Sequence, residues 1–84
     1  MKYKRNDIVI KLFGIQIKNI RKQKGISQEE LAYRTDLELS QIGRIERGVI
    51  NTSISNLFLI AEALEVAPNE LLNFSLKIKK SSPR

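Results

Sequence analysis

Ser40, Gly43, Arg44 and Arg47 follow one another at the three- and four-residue spacing that gathers side chains on one face of an α-helix. On a wheel at about 100° per residue, these four and Leu39 share an arc of about 140°. Ile42 and Ile45 point the other way, with Gln41 and Glu46 on the flanks. The arc carries a long cation, a second cation near its end, a hydroxyl, an apolar side chain and a glycine that lets a backbone come close. That set suits non-covalent recognition of a nucleic-acid groove. Covalent chemistry finds no comparable set. The 84 residues include no cysteine and no histidine, which removes disulfides, thiol nucleophiles, histidine bases and the usual zinc ligands. The remaining carboxylates, hydroxyls and lysines form no recognisable catalytic arrangement. We therefore expect no enzyme, no metal and no cofactor.

The charge balance agrees with a polyanionic partner. Fifteen Lys and Arg stand against nine Asp and Glu, a net charge of +6, and nucleic acid is the commonest polyanion met by small basic domains. Charge alone does not decide this, because many soluble domains are basic. With 42% hydrophobic and 29% charged residues, the chain suits one folded domain with one modest core. No apolar run reaches the ~18 residues of a membrane span. The basic start lacks the unbroken apolar stretch and small-residue cleavage site of a secretory signal. A cytoplasmic location is the expectation.

The elements that must position the arc read as helices. Ile10, Phe13, Ile17 and Ile20 form one apolar stripe on a first helix, which starts near Asn6-Asp7 and ends by Gly25. Ser27 followed by Glu30 is a capping box that opens a short second helix through Arg34. Asp36 suits the tight turn that follows. A third helix spans about residues 38–47 and stops at Gly48, and a fourth spans residues 54–65 with Leu57, Ile60, Ala61 and Leu64 on one face. Pro68 suits the first position of a short fifth. Residues 74–79 alternate apolar and polar, which reads either as a short strand in need of a partner or as a frayed tail. We divide the chain into a binding domain, residues 1–74, and a C-terminal extension, residues 75–84.

Two short helices joined by a tight turn, the second with a polar outer face, make a helix-turn-helix. From Gly14 to Leu72 the chain resembles the Cro and phage-repressor type of helix-turn-helix domain, also called the xenobiotic-response-element type. The matching stretches run from Ile20 to Ala32, from Ile42 to Gly48, from Ala61 to Val66 and from Glu70 to Leu72. Small restriction-modification controller proteins are similar too. The resemblance implies an all-α, five-helix, lambda-repressor-like domain that binds double-stranded DNA and regulates transcription, reading the major groove as a dimer. It places Gln28 at the start of the second helix, against the DNA backbone, where a helix N-terminus also favours an anion, or within reach of a base edge. It places Leu39, Ser40, Gln41 and Arg44 toward bases or adjacent phosphates. Arg44 suits guanine O6 and N7, Ser40 a base or phosphate, and Leu39 a thymine methyl group. Arg47, Asn51 and Thr52 would hold phosphates. Arg21 and Glu46 match a structural salt bridge.

Four positions depart from the pattern, one of them Ala67, a weak cap before Pro68. Glu38 stands where a serine or threonine cap is usual, and Val49 and Ile50 replace polar or basic loop residues. With Phe58 and Leu59 they suggest exposed apolar surface and hence a homodimer interface; alternatively Leu59 completes the core. A protein partner such as a toxin or an anti-repressor is a second expectation.

Overall fold

The computed structural model describes residues 5–75. Four α-helices and one short 3-10 helix follow in order: α1, Asp7–Gln23; α2, Gln28–Thr35; α3, Leu39–Arg47; α4, Ile54–Leu64; and the 3-10 helix, Pro68–Leu72. Three of the four α-helix starts carry a side-chain cap. Asn6 accepts from the Val9 N–H at 3.1 Å, Ser27 from Glu30 at 3.0 Å and Ser53 from Asn56 at 3.1 Å, each relieving a backbone donor that the helix itself leaves unpaired.

Helix ends follow one pattern. After α1, α3 and α4 a left-handed residue closes the last turn with two backbone bonds, in the arrangement known as the Schellman motif. The pairs are Gly25 N–H to Lys22 O with Ile26 N–H to Arg21 O, Gly48 to Ile45 with Val49 to Arg44, and Glu65 to Glu62 with Val66 to Ala61. Glycine takes the left-handed position after α1 and α3; after α4 it is Glu65, at φ 60°.

The core forms where the four apolar stripes meet. Ile17, Leu31, Ile42, Ile45, Ile60, Leu64 and Leu71 are sealed from solvent. α1 packs on α3 and on the 3-10 helix, α2 on α3 and α4, and α4 on the 3-10 helix.

The expectation of five α-helices is corrected here. The fifth element bonds from i to i+3, with Glu70 N–H to Ala67 O at 2.9 Å and Asn73 N–H to Glu70 O at 3.3 Å. It spans five residues, Pro68 has no N–H to give, and Ala67 provides no side-chain cap, so the tighter winding suits so short a piece. The C-terminal strand finds no support among the described residues: Phe74 and Ser75 belong to no strand, and residues 76–79 lie outside them. The basic end of the chain lies outside them as well.

Candidate nucleic-acid interface

The turn between α2 and α3 is held by its own residues. Thr35 is buried and its hydroxyl donates to Leu31 O at 2.8 Å, while the Leu37 N–H donates to the same hydroxyl at 3.3 Å. Asp36 takes the left-handed conformation, φ 62°, which Asp tolerates better than most side chains. Leu37 then packs on the core, and α3 begins.

α3 has two faces of opposite character. Ile42, Ile45 and Glu46 are buried, whereas Ser40, Arg44 and Arg47 are exposed and Leu39 is 44% exposed. Among the described residues neither Arg44 nor Arg47 forms an ion pair. Gln41 is half-buried, as its place on the flank requires. Gly43 is buried too, and what covers it is Arg47: a Cβ at Gly43 would meet only that guanidinium, at 3.1 Å. The glycine is thus screened by a flexible side chain and not by the fold.

The inner side of α3 is fixed in three places. At Gly14 of α1 an added Cβ would run into the Ile45 carbonyl and come within 2.8 Å of the Glu46 carbonyl, so α1 and α3 touch backbone to backbone. Further along, Arg21 Nε donates to Glu46 Oε2 at 2.6 Å and Arg21 Nη2 to Glu46 Oε1 at 3.0 Å, a two-pronged charge-assisted pair. Arg21 Nη1 donates to Ile26 O at 2.8 Å. Both side chains are nearly sealed, 9% and 2% exposed. The hydrogen bond to Glu46 raises the Arg21 pKa above its ordinary value, against the opposing effect of burial. No buried side-chain polar atom among the described residues lacks a partner. The third fixing point is Gly48, φ +73°, where a Cβ would stand 2.7 Å from Lys11 Cα.

Gln28 joins this network. Its Nε2 donates to Glu46 Oε1 at 2.9 Å, so the first residue of α2 is tied to α3. The α3–α4 connection follows directly after Arg47. Asn51 is exposed, and Thr52 is half-buried with its hydroxyl accepting from Asn56 Nδ2 at 3.0 Å. Gly14, the backbone contact at Lys11 and the Gln28 bond were not anticipated from sequence. The only available signal was a glycine inside an amphipathic helix, which costs helix stability and so calls for a packing reason.

The helix-turn-helix family HTH_3 matches residues 17–71, from the middle of α1 through the 3-10 helix. The chain belongs to this helix-turn-helix family. It is 45% identical over 65 residues to the control protein C.BamHI of Bacillus amyloliquefaciens, covering 76% of this chain and 80% of the relative. Among solved structures it is similar to the restriction-modification controller protein C.AhdI from Aeromonas hydrophila. That match has a TM-score of 0.72 and 40% identity, over 74% of this chain and 94% of the other. It is similar also to the wild-type restriction-modification controller protein C.Esp1396I, at a TM-score of 0.71 and 38% identity over 75% and 83% of the two chains.

A second surface of this helix-turn-helix protein is apolar. On α4, Ile54 is 70%, Phe58 56% and Leu59 40% exposed, and Val49 is 48% exposed in the connection before it. The expectation that Ile50 shares this exposed surface is corrected: it is half-buried and packs against the core cluster. The chain turns inward after Val49, and the exposed apolar position in the next stretch is Ile54 instead.

Proposed function

We propose that this protein is a sequence-specific DNA-binding transcription regulator, acting in the cytoplasm without a cofactor and without catalysis, that inserts α3 into the major groove. The observation that carries this reading is the division of α3. Its inner face is locked to α1 through Gly14 and the Arg21–Glu46 pair, while Ser40, Arg44 and Arg47 stand in solvent and no carboxylate among the described residues pairs the two cations. A rigid helix with free donors on its outer side is what base readout needs. In this reading Arg44 pairs with guanine, and Ser40, Gln41 and Leu39 meet neighbouring bases. Arg47 swings off Gly43 to a phosphate, opening the helix backbone to close approach. Gln28, Asn51 and Thr52 meet phosphates on either side.

C.AhdI and C.Esp1396I are named as restriction-modification controller proteins, C.BamHI as a control protein and further relatives as transcriptional regulators, which favours a regulator over an antitoxin-like interaction module. The exposed apolar side chains of α4 supply a surface for a second copy. A two-fold pair would set two α3 helices about 34 Å apart, one turn of DNA. Genome-wide footprinting in the source organism tests the proposal: discrete, near-palindromic protected sites close to promoters are expected. Protection spread evenly along the genome, or none, would refute it.

A further inference from the structure

We infer that Lys11 of α1, outside the helix-turn-helix unit, is a DNA phosphate contact that flanks the C-terminal end of α3. This rests on the DNA-binding reading above. The α3–α4 connection, residues 48–53, carries no cation of its own. Phosphates at that edge of the groove would otherwise be met by Arg47, by Arg5, which is shared between Asp7 and the Val49 carbonyl, and by neutral hydroxyl, amide and backbone groups.

The fold brings Lys11 to this edge. A Cβ at Gly48 would lie 2.7 Å from Lys11 Cα, 3.2 Å from its Cβ and 3.3 Å from its Cγ. The first methylenes of the lysine therefore lie over the residue that ends α3. A stem packed in this way leaves fewer rotamers to freeze when the ammonium group binds, and the ammonium extends beyond the stem into solvent.

The local charges favour an anion there. Lys11 is exposed, and its ammonium group makes no ion pair or hydrogen bond among the described residues. The acid one turn back, Asp7, is occupied by Arg5 at 3.1 Å, and Arg5 also reaches the Val49 carbonyl at 3.4 Å. Glu46, the acid of α3, is sealed beneath Arg21 and Gln28. Lys11 and Arg47 thus stand beside a connection without an exposed carboxylate.

Phosphate contacts are sequence-independent, so the test needs no operator. Binding of wild type, Lys11→Gln and Lys11→Arg to a labelled duplex of random sequence is followed by fluorescence anisotropy over a range of salt concentrations. The slope of log K against log salt counts phosphates neutralised, at about 0.9 per contact on duplex DNA. Lys11→Gln is expected to flatten the slope by about 0.9 per bound protomer, with Lys11→Arg retaining the wild-type slope. Thermal melts of all three should agree, since the ammonium holds nothing in the fold. If Lys11→Gln keeps both the slope and the affinity of wild type, the inference is wrong while the regulator reading stands. If it flattens the slope and Lys11→Arg fails to retain it, the effect is steric and the inference is again wrong. A wild-type protein that binds no duplex would defeat the DNA-binding reading, and this inference with it.

Discussion

Gln28 and Glu46 are joined by a hydrogen bond of 2.9 Å from the first residue of α2 to the buried acid of α3. Glu46 already holds Arg21 through the same carboxylate, so a single side chain links α1, α2 and α3. The amide of Gln28 keeps one N–H and its oxygen for other partners. In the proposed complex the residue that meets the DNA backbone is therefore aimed by the group that fixes the reading helix.

Removing Glu46 should be costly to the fold, and removing Arg44 should not. Glu46→Ala strands the buried Arg21 guanidinium and is expected to destabilise by about 3 to 5 kcal/mol. Arg44→Ala removes an exposed side chain with no ion pair among the described residues and should stay within about 0.5 kcal/mol of wild type while weakening DNA binding. Urea melts of the two variants check this. Equal losses of stability would contradict the separation of roles.

The glycines differ in what surrounds them. Gly25→Ala places a Cβ in open space and bears only the strain of a positive φ, about 1 kcal/mol. Gly48→Ala bears the same strain and also collides with Lys11 Cα, and Gly14→Ala forces apart the α1 and α3 backbones. Each of these two should lose about 1 to 3 kcal/mol more from overpacking. The order of melting temperatures, Gly25→Ala above the other two, is the readout.

Glu38 is the weakest helix start in the unit. It has cap geometry, φ −66° and ψ 143°, but its side chain makes no capping bond. Glu38→Ser should gain about 0.5 to 1 kcal/mol and, by removing a carboxylate beside the DNA-facing helix end, tighten DNA binding at low salt. A melt and an anisotropy titration of the same variant check both halves.

Self-association should depend on the outer face of α4. Phe58→Glu and Leu59→Glu replace exposed side chains and are expected to yield folded monomers by sedimentation velocity. Leu57→Ala, by contrast, empties a buried site of the core and should destabilise by about 2 to 5 kcal/mol. Variants at 58 and 59 that sediment with the mass of wild type would remove α4 from the interface.

Much of this was legible in the sequence because it repeats at short range. The stripe Ile10, Phe13, Ile17 and Ile20, the cap at Ser27, the turn at Asp36 and the two faces of α3 are each written within about one or two helical turns. The rest depends on pairs far apart in the chain. Nothing near Gly14 announces the Ile45 carbonyl, and nothing near Lys11 announces Gly48. Arg34 looks like a surface residue paired with Glu30, yet its Nη1 also donates to Ala63 O, 2.9 Å away on α4. Glu65 takes a left-handed conformation that its residue type does not favour, because the backbone bonds ending α4 require it there. The 3-10 winding after Ala67 reflects a missing cap and a short length, which apolar periodicity does not register.

The most direct test of the account is selection of bound sequences from a randomised duplex library with wild type and with Arg44→Ala. Wild type is expected to enrich a near-palindrome whose half-sites lie about 10 base pairs apart, with guanine favoured at one position of each half. Arg44→Ala should lose the preference at that position and keep the remainder. An unchanged motif at unchanged affinity in Arg44→Ala, or no enriched motif with wild type, would contradict the claim that the outer face of α3 reads DNA.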